Sequence, residues 1–214
     1  GNAGCFSFFS NKNLATGEGG MVVTDEDSIA AKVRTLRSHG MTTLTWDRHR
    51  GHAYTYDVIE LGFNYRIDEI HSGLGLAQLK KLSNNNRSRK KITELYREKL
   101  KDQAFSGIDV PFLKSPGEPA YHIFPILLPQ DINREQFMSV MRQKGIQTSI
   151  HYPPIHLFSY YQKRFPGVCL PNTEAAAARE VTLPLYPGMS IDDANFVISA
   201  VEETLNEIRL GVMN

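Results

Sequence analysis

A single lysine, Lys12, stands in a polar turn between two short apolar runs, Cys5-Phe-Ser-Phe-Phe-Ser-Asn-Lys12 and Gly20-Met-Val-Val-Thr24. An ammonium held beside apolar strands is costly unless it is paired or chemically used. Desolvation or a neighbouring cation lowers a lysine's pKa and makes its amine nucleophilic. The covalent chemistry open to such an amine is Schiff-base formation, with a carbonyl compound or with pyridoxal phosphate. Ser7, Ser10 and Asn11 surround it with hydroxyl and amide groups, which a phosphate and a polar ring require. Gly17, Gly19 and Gly20 let backbone approach closely. Taken alone, the same lysine is also accounted for as a solvated turn residue.

A second cluster is His151-Tyr152-Pro-Pro-Ile-His156. Two histidines five residues apart raise a metal reading. The prolines prevent a helix that would put both rings on one face, and no third ligand is evident, so no metal is expected. The plain alternative is a pair of histidines at a strand end, hydrogen-bonded or solvated.

The elements that must carry these groups follow from local pattern. Residues 5–9 and 20–24 are short and apolar between turn residues, which suits buried strands. Thr24 reads as the N-cap of a helix whose face is Ile29, Ala30, Val33 and Leu36, with Gly40 as its stop. Residues 41–60 lack periodicity, and the stretch from Trp46 to Gly51 reads as a solvated loop, with Tyr54 and Tyr56 available to pack on a neighbour. Asp68 caps a helix carrying Ile70, Leu74, Ala77 and Leu79. The polar stretch 83–91 reads as a solvated helix face, with Asn84, Asn85 and Asn86 marking a bend between two helices.

Residues 104–120 hold Gly107, Pro111, Pro116, Gly117 and Pro119, and form the best internal boundary. Beyond it a smaller α+β domain is expected: a strand over 121–128, a helix capped by Asn133 and stopped by Gly145, and a second strand over 147–152. A short helix over 173–181 comes next, then a final helix capped by Ser190 and Asp193, with Phe196, Val197, Ala200, Val201, Leu205 and Ile208 on its face.

Several of these stretches, in order, resemble one known family. Ser7-Phe-Phe-Ser-Asn-Lys12, Gly17-Glu-Gly-Gly20, Arg37-Ser-His-Gly40, Leu61-Gly-Phe-Asn-Tyr-Arg66, Asp68-Glu69 and Gln78-Leu79 look like segments of the DegT/DnrJ/EryC1/StrS family of pyridoxal-phosphate-dependent sugar-nucleotide aminotransferases. His151-Tyr-Pro-Pro-Ile-His156, Tyr160-Tyr161, Leu170-Pro-Asn172 and Leu183-Pro-Leu185 continue the match. The resemblance implies an α/β chain of the PLP-dependent transferase fold type I, aspartate aminotransferase-like. It would comprise part of the large cofactor-binding domain over residues 1–104 and a small C-terminal α+β domain over 105–214.

The resemblance also implies roles. Lys12 would bind pyridoxal 5'-phosphate covalently and act as the base that moves a proton on the amino donor. Ser7 would donate to the cofactor phosphate. Asn64, otherwise a plain turn residue, would reach the phosphate of the partner subunit, so that a homodimer shares its active sites. Arg66 is a second phosphate candidate, or the partner of Asp68 or Glu69. The small domain would close over the site, with His151, Tyr152 and His156 contacting the nucleotide sugar. His39 lies in a matched motif and also suits a helix end. The expected reaction transfers an amino group, from L-glutamate, to a nucleotide-linked 3-keto or 4-keto sugar in amino-sugar or polysaccharide biosynthesis. Family members normally carry a long N-terminal segment before the lysine stretch, so the chain is expected to be the C-terminal portion of a longer enzyme. Two rivals stand beside this reading. One is a related sugar dehydratase, in which histidine replaces the lysine. The other is a non-catalytic binding or dimerisation module.

Composition bounds the remainder. The 214 residues are 41% hydrophobic and 22% charged, ordinary for a globular chain. A formal net charge of +1 argues against a nucleic-acid binder that neutralises phosphates. Cys5 and Cys169 show no metal or redox spacing and read as thiols in a reducing compartment. No run is long and apolar enough to span a bilayer, no signal peptide is read, and a cytoplasmic setting is expected.

Overall fold

The aromatic run after Gly4 and the valines after Gly20 do pair. In the computed structural model, which describes residues 1–42, 55–114 and 116–211, β1 (Gly4–Ser7) runs antiparallel to β2 (Gly20–Val23), with Gly4 opposite Val23 and Ser7 opposite Gly20. The chain packs as two compact units, Gly1–Ser83 and Asn84–Asn214. The loop from Trp46 to Gly51, and Tyr54, lie outside the described residues.

In the first unit the two strands were expected to be buried, and they are not. Phe6, Met21, Val22 and Val23 are all more than 40% exposed. Among the described residues β1 and β2 form a two-stranded sheet, which is too small to bury its own faces. Helix α1 (Asp27–Leu36) begins after Glu26 rather than at Thr24. The Thr24 hydroxyl instead accepts from the Glu26 N–H at 3.0 Å and donates to the Asn2 carbonyl at 2.6 Å, a local turn that precedes the helix. After α1 the chain reverses at Gly40, whose φ is +70°.

Helix α2 (Glu69–Lys99) is one continuous helix, so the bend expected at Asn84–Asn86 does not occur. Three asparagines cost a helix less than about 0.7 kcal/mol each relative to alanine. The next turns of α2 bury Ile92 and Tyr96, which outweighs that penalty. The division between the two units falls inside α2.

The second unit has a conventional core. Strands β3 (Phe124–Leu127) and β4 (Glu180–Leu183) pair antiparallel, with Phe124 opposite Leu183. Ile92 and Tyr96 of the α2 end, with Leu100 just beyond it, cluster with Phe124, Ile126, Val181 and Leu183. Tyr96 is fully buried, and its hydroxyl donates to the Pro184 carbonyl at 3.0 Å. Burial raises its phenol above the usual range. Residues 84–104 thus pack with the C-terminal half of the chain, and the Gly- and Pro-rich stretch 104–120 lies within this unit.

Helix α3 (Arg134–Gln143) starts as expected, the Asn133 side chain accepting from the Gln136 N–H. The expected strand over 147–152 is reduced to a single bridge between Ser149 and Thr182. Two short helices come next, α4 (Ser159–Arg164) and α5 (Pro171–Arg179). Helix α5 starts earlier than expected because Pro171 suits a first helical turn. It also ends earlier, and Val181 joins β4 instead. Helix α6 (Ile191–Leu210) has the anticipated capping box of Ser190 and Asp193. Its buried stripe is Ala194, Val197, Ile198, Val201 and Leu205; Phe196 falls outside it and is 59% exposed.

Candidate functional site

Ser7 closes β1, and the turn after it carries Lys12. The Lys12 N–H donates to the Phe9 carbonyl at 2.9 Å, which fixes the turn. Its return limb is tied by Phe8 N–H to Gly19 O and by Thr16 N–H to Phe8 O, at 2.9 and 2.8 Å. Thr16 is buried, and its hydroxyl donates to the Glu18 carbonyl at 2.7 Å. The glycines here are required. A Cβ on Gly20 would lie 2.9 Å from the Phe6 carbonyl oxygen, and Gly19 has a φ of +151°. Lys12 is half-buried, and its Nζ has no ion-pair partner among the described residues. The Ser7 hydroxyl oxygen accepts from the Phe9 N–H at 3.3 Å. Its own proton is therefore left to donate.

A primary amine and an unspent hydroxyl proton, held on one strand-and-turn, are the donor set that an aldehyde bearing a phosphate needs. The residues present fit pyridoxal phosphate on that ground.

Asn64 sits elsewhere in the first unit, and no described contact joins it to Ser7 or Lys12. It lies on a short ladder between two of the stretches singled out in the sequence. His39 N–H donates to Phe63 O at 2.9 Å, Tyr65 N–H to Arg37 O at 2.9 Å, and Ile59 N–H to Gly40 O at 3.0 Å. The two backbones approach so closely that a Cβ on Gly40 would lie 1.9 Å from Glu60 O, and one on Gly62 would lie 2.0 Å from Gly40 N. Asn64 bridges to Ser38 through the backbone, and its residue is exposed. His39 lies in this ladder and also in the turn that ends α1, where its φ is +63° and the Gly40 N–H donates to Thr35 O at 3.0 Å. Asp68 accepts from the His71 N–H at 2.8 Å and bonds its Nδ1 at the same distance; the backbone bond is the main cause that lowers the Asp68 carboxyl below its ordinary range.

A cavity of about 1070 Å³ lies in the same unit, lined by Gly20, Met21, Arg34, Arg37 and Arg66 among others. Lys12, Ser7 and Asn64 do not line it. Its walls also carry Cys5 and the paired Asp68 and His71.

In the second unit the histidines are held by acids that the sequence pattern did not single out. His156 Nε2 lies 2.8 Å from Glu174 Oε1, and the same oxygen accepts from the Leu170 N–H at 3.0 Å. The bond to His156 is the first cause that lowers the Glu174 carboxyl. His151 Nδ1 lies 2.8 Å from the Thr182 hydroxyl, which donates to Glu180 Oε1 at 2.6 Å. Glu180 Oε2 accepts from the His151 N–H at 2.9 Å. Tyr152 is 65% exposed beside them, its ring edge-on to His151 at 4.8 Å. His151 and Thr182 line a cavity of about 270 Å³ together with His122 and Ser149. In the sequence Glu180 falls within the helix expected over 173–181, so no local signal marked it as a strand residue beside His151.

Cys5 and Cys169 are free and exposed. Among the described residues no group of three or more His, Cys, Asp or Glu is placed to hold a metal, and no helix is long and apolar enough to cross a membrane.

The sequence profile of the DegT/DnrJ/EryC1/StrS aminotransferase family matches residues 1–202. An uncharacterised protein of Methanocaldococcus jannaschii is 36% identical, over 98% of this chain and 55% of that protein. The spore coat polysaccharide biosynthesis protein SpsC of Bacillus subtilis is 35% identical, over 95% of this chain and 54% of its own length. Among solved structures, Helicobacter pylori PseC, an aminotransferase involved in pseudoaminic acid biosynthesis, superposes with a TM-score of 0.86 at 27% identity. That match covers 96% of this chain and 54% of PseC. The chain spans about half the length of the relatives it matches.

Proposed function

The chain belongs to the DegT/DnrJ/EryC1/StrS aminotransferase family, and from that premise we propose that it serves a transaminase moving an amino group from L-glutamate to a nucleotide-linked 3-keto or 4-keto sugar. The fold is that of the PLP-dependent sugar aminotransferases, fold type I. Aminotransferases of this family depend on pyridoxal phosphate. The observation that carries the reading is Lys12 on the same strand-and-turn as Ser7, whose hydroxyl proton is unspent.

When bound, pyridoxal phosphate supplies an electron sink that makes the proton on the carbon beside the amine removable. Lys12 Nζ is the attachment point and, when free, the base that moves that proton. Ser7 Oγ donates to a phosphate oxygen. The partner subunit's Asn64 offers an amide N–H to the same group, which adds a donor without adding charge. That role makes a homodimer part of the working enzyme. His151, Tyr152 and His156 contact the nucleotide sugar. The amino-sugar product feeds polysaccharide or related glycan biosynthesis, in the cytoplasm.

The dehydratase reading is disfavoured by lysine at position 12. The test is turnover by the full-length gene product with pyridoxal phosphate, L-glutamate and a panel of 3-keto and 4-keto sugar nucleotides. Formation of 2-oxoglutarate with a matching amino sugar is expected, and Lys12→Ala should abolish both. Dehydration of the sugar without amino transfer would overturn the assignment.

A further inference from the structure

Two buried side chains beside His151 have no part in the activity proposed above. Glu180 is 9% exposed and Thr182 is 5% exposed. A polar pair is kept at such depth only when its hydrogen bonds are satisfied, and here the bonding can be followed proton by proton. Both Glu180 oxygens accept: Oε2 from the His151 N–H at 2.9 Å, Oε1 from the Thr182 hydroxyl at 2.6 Å. A carboxylate has no proton to return, so the single hydroxyl proton of Thr182 is spent on Glu180. The Thr182 oxygen can then only accept from the ring nitrogen 2.8 Å away, His151 Nδ1. That nitrogen must carry a proton, and in the neutral imidazole Nε2 must then be a bare acceptor.

We propose that Glu180 and Thr182 are positioning residues that hold His151 as its Nδ1–H tautomer, so that Nε2 accepts a hydrogen bond from a hydroxyl of the sugar nucleotide's sugar ring. The ligand half of this rests on the reading of His151 as a substrate contact; the tautomer half does not. The consequence is chemical selection. A bare Nε2 binds a group that donates, such as a hydroxyl, and is unsuited to a phosphate oxygen, which only accepts. The site lines an open cavity that also presents Ser149 and Thr148.

The test is side-chain ¹⁵N NMR of the whole chain with labelled histidine, at about pH 8, above the ordinary imidazole range near 6.5. The His151 resonances are assigned by their loss in His151→Asn. The expected wild-type spectrum has a pyrrole-like Nδ1 and a pyridine-like Nε2. Thr182→Val should shift the ring toward the Nε2–H form, and Thr182→Ser should restore the wild-type pattern. A wild-type ring that is already Nε2–H overturns the proposal without need of any variant, as does a Thr182→Val spectrum identical to the wild type. UDP-N-acetylglucosamine and dTDP-glucose, each against its nucleoside diphosphate, then test the ligand half. Movement of Nε2 with a nucleotide sugar and not with the diphosphate is expected. No movement, or equal movement with the diphosphate, removes the substrate reading of His151 while leaving the tautomer result standing.

Discussion

Replacing Ser7 with alanine isolates the proposed phosphate contact from the fold. Ser7 is exposed, and the only described hydrogen bond of its side chain is the 3.3 Å acceptance from Phe9 N–H. Water replaces so long and exposed a bond readily, so Ser7→Ala should cost the chain about 0.5 kcal/mol of stability at most. The phosphate contact is a different matter. A hydrogen bond to a charged acceptor contributes about 1.5–3 kcal/mol, and at an exposed position the lower end applies. That corresponds to roughly tenfold weaker binding. The assay is a pair of titrations, pyridoxal phosphate and pyridoxal, monitored by the absorbance change on attachment to a lysine. In the wild type the phosphate should confer tighter binding than the aldehyde alone. Ser7→Ala should narrow that gap by about tenfold, leave pyridoxal affinity unchanged, and leave the unfolding midpoint in place. Equal weakening of both compounds would refute the contact, since it would mean that Ser7 shapes the turn rather than holding the phosphate.

The packing sets three further expectations. Tyr96→Phe should lower stability by about 1 kcal/mol by leaving the Pro184 carbonyl without its donor, and Tyr96→Ala by about 3–5 kcal/mol, both read by urea unfolding; a neutral Tyr96→Ala would detach the α2 end from the second unit's core. The Glu174 carboxyl is held below its ordinary range chiefly by His156. Its stabilising contribution is therefore present above the unfolded-state pKa and lost as pH falls through the lower folded value; Glu174→Gln should flatten the acid limb of the stability profile below about pH 4.5, the ordinary carboxylate range. Gly40→Ala should disrupt the ladder of residues 36–42 with 57–65, because its Cβ would meet Glu60 O at 1.9 Å and its φ is +70°; unchanged amide-exchange protection at His39 and Tyr65 would contradict this.

Sequence alone was informative about features encoded within a few residues. The Asn133 cap and the Ser190–Asp193 capping box each depend on residues three apart, and both are present. The lysine turn was legible because its glycines mark a close backbone approach. Interactions across long separations were not legible. Thr182 and Glu180 reach His151 over 31 and 29 residues, and neither residue type announces a partner. The bend read at Asn84–Asn86 gave weak local propensity too much weight, although the helical pattern continues through Ile92 and Tyr96. The strand expected over 147–152 failed because a locally extended stretch does not supply a pairing edge; only Ser149 finds one. Burial of β1 and β2 was overestimated for a related reason: an apolar strand tolerates a cover, but its own residues do not encode one.

The most direct test of the central claim is covalent mapping. The protein is equilibrated with pyridoxal phosphate, reduced with borohydride, digested and analysed by mass spectrometry. The pyridoxyl group should be found on Lys12, and Lys12→Arg should lose it while keeping the fold. Modification concentrated at another lysine, or spread evenly over the surface lysines with Lys12 unlabelled, would contradict the assignment of the site.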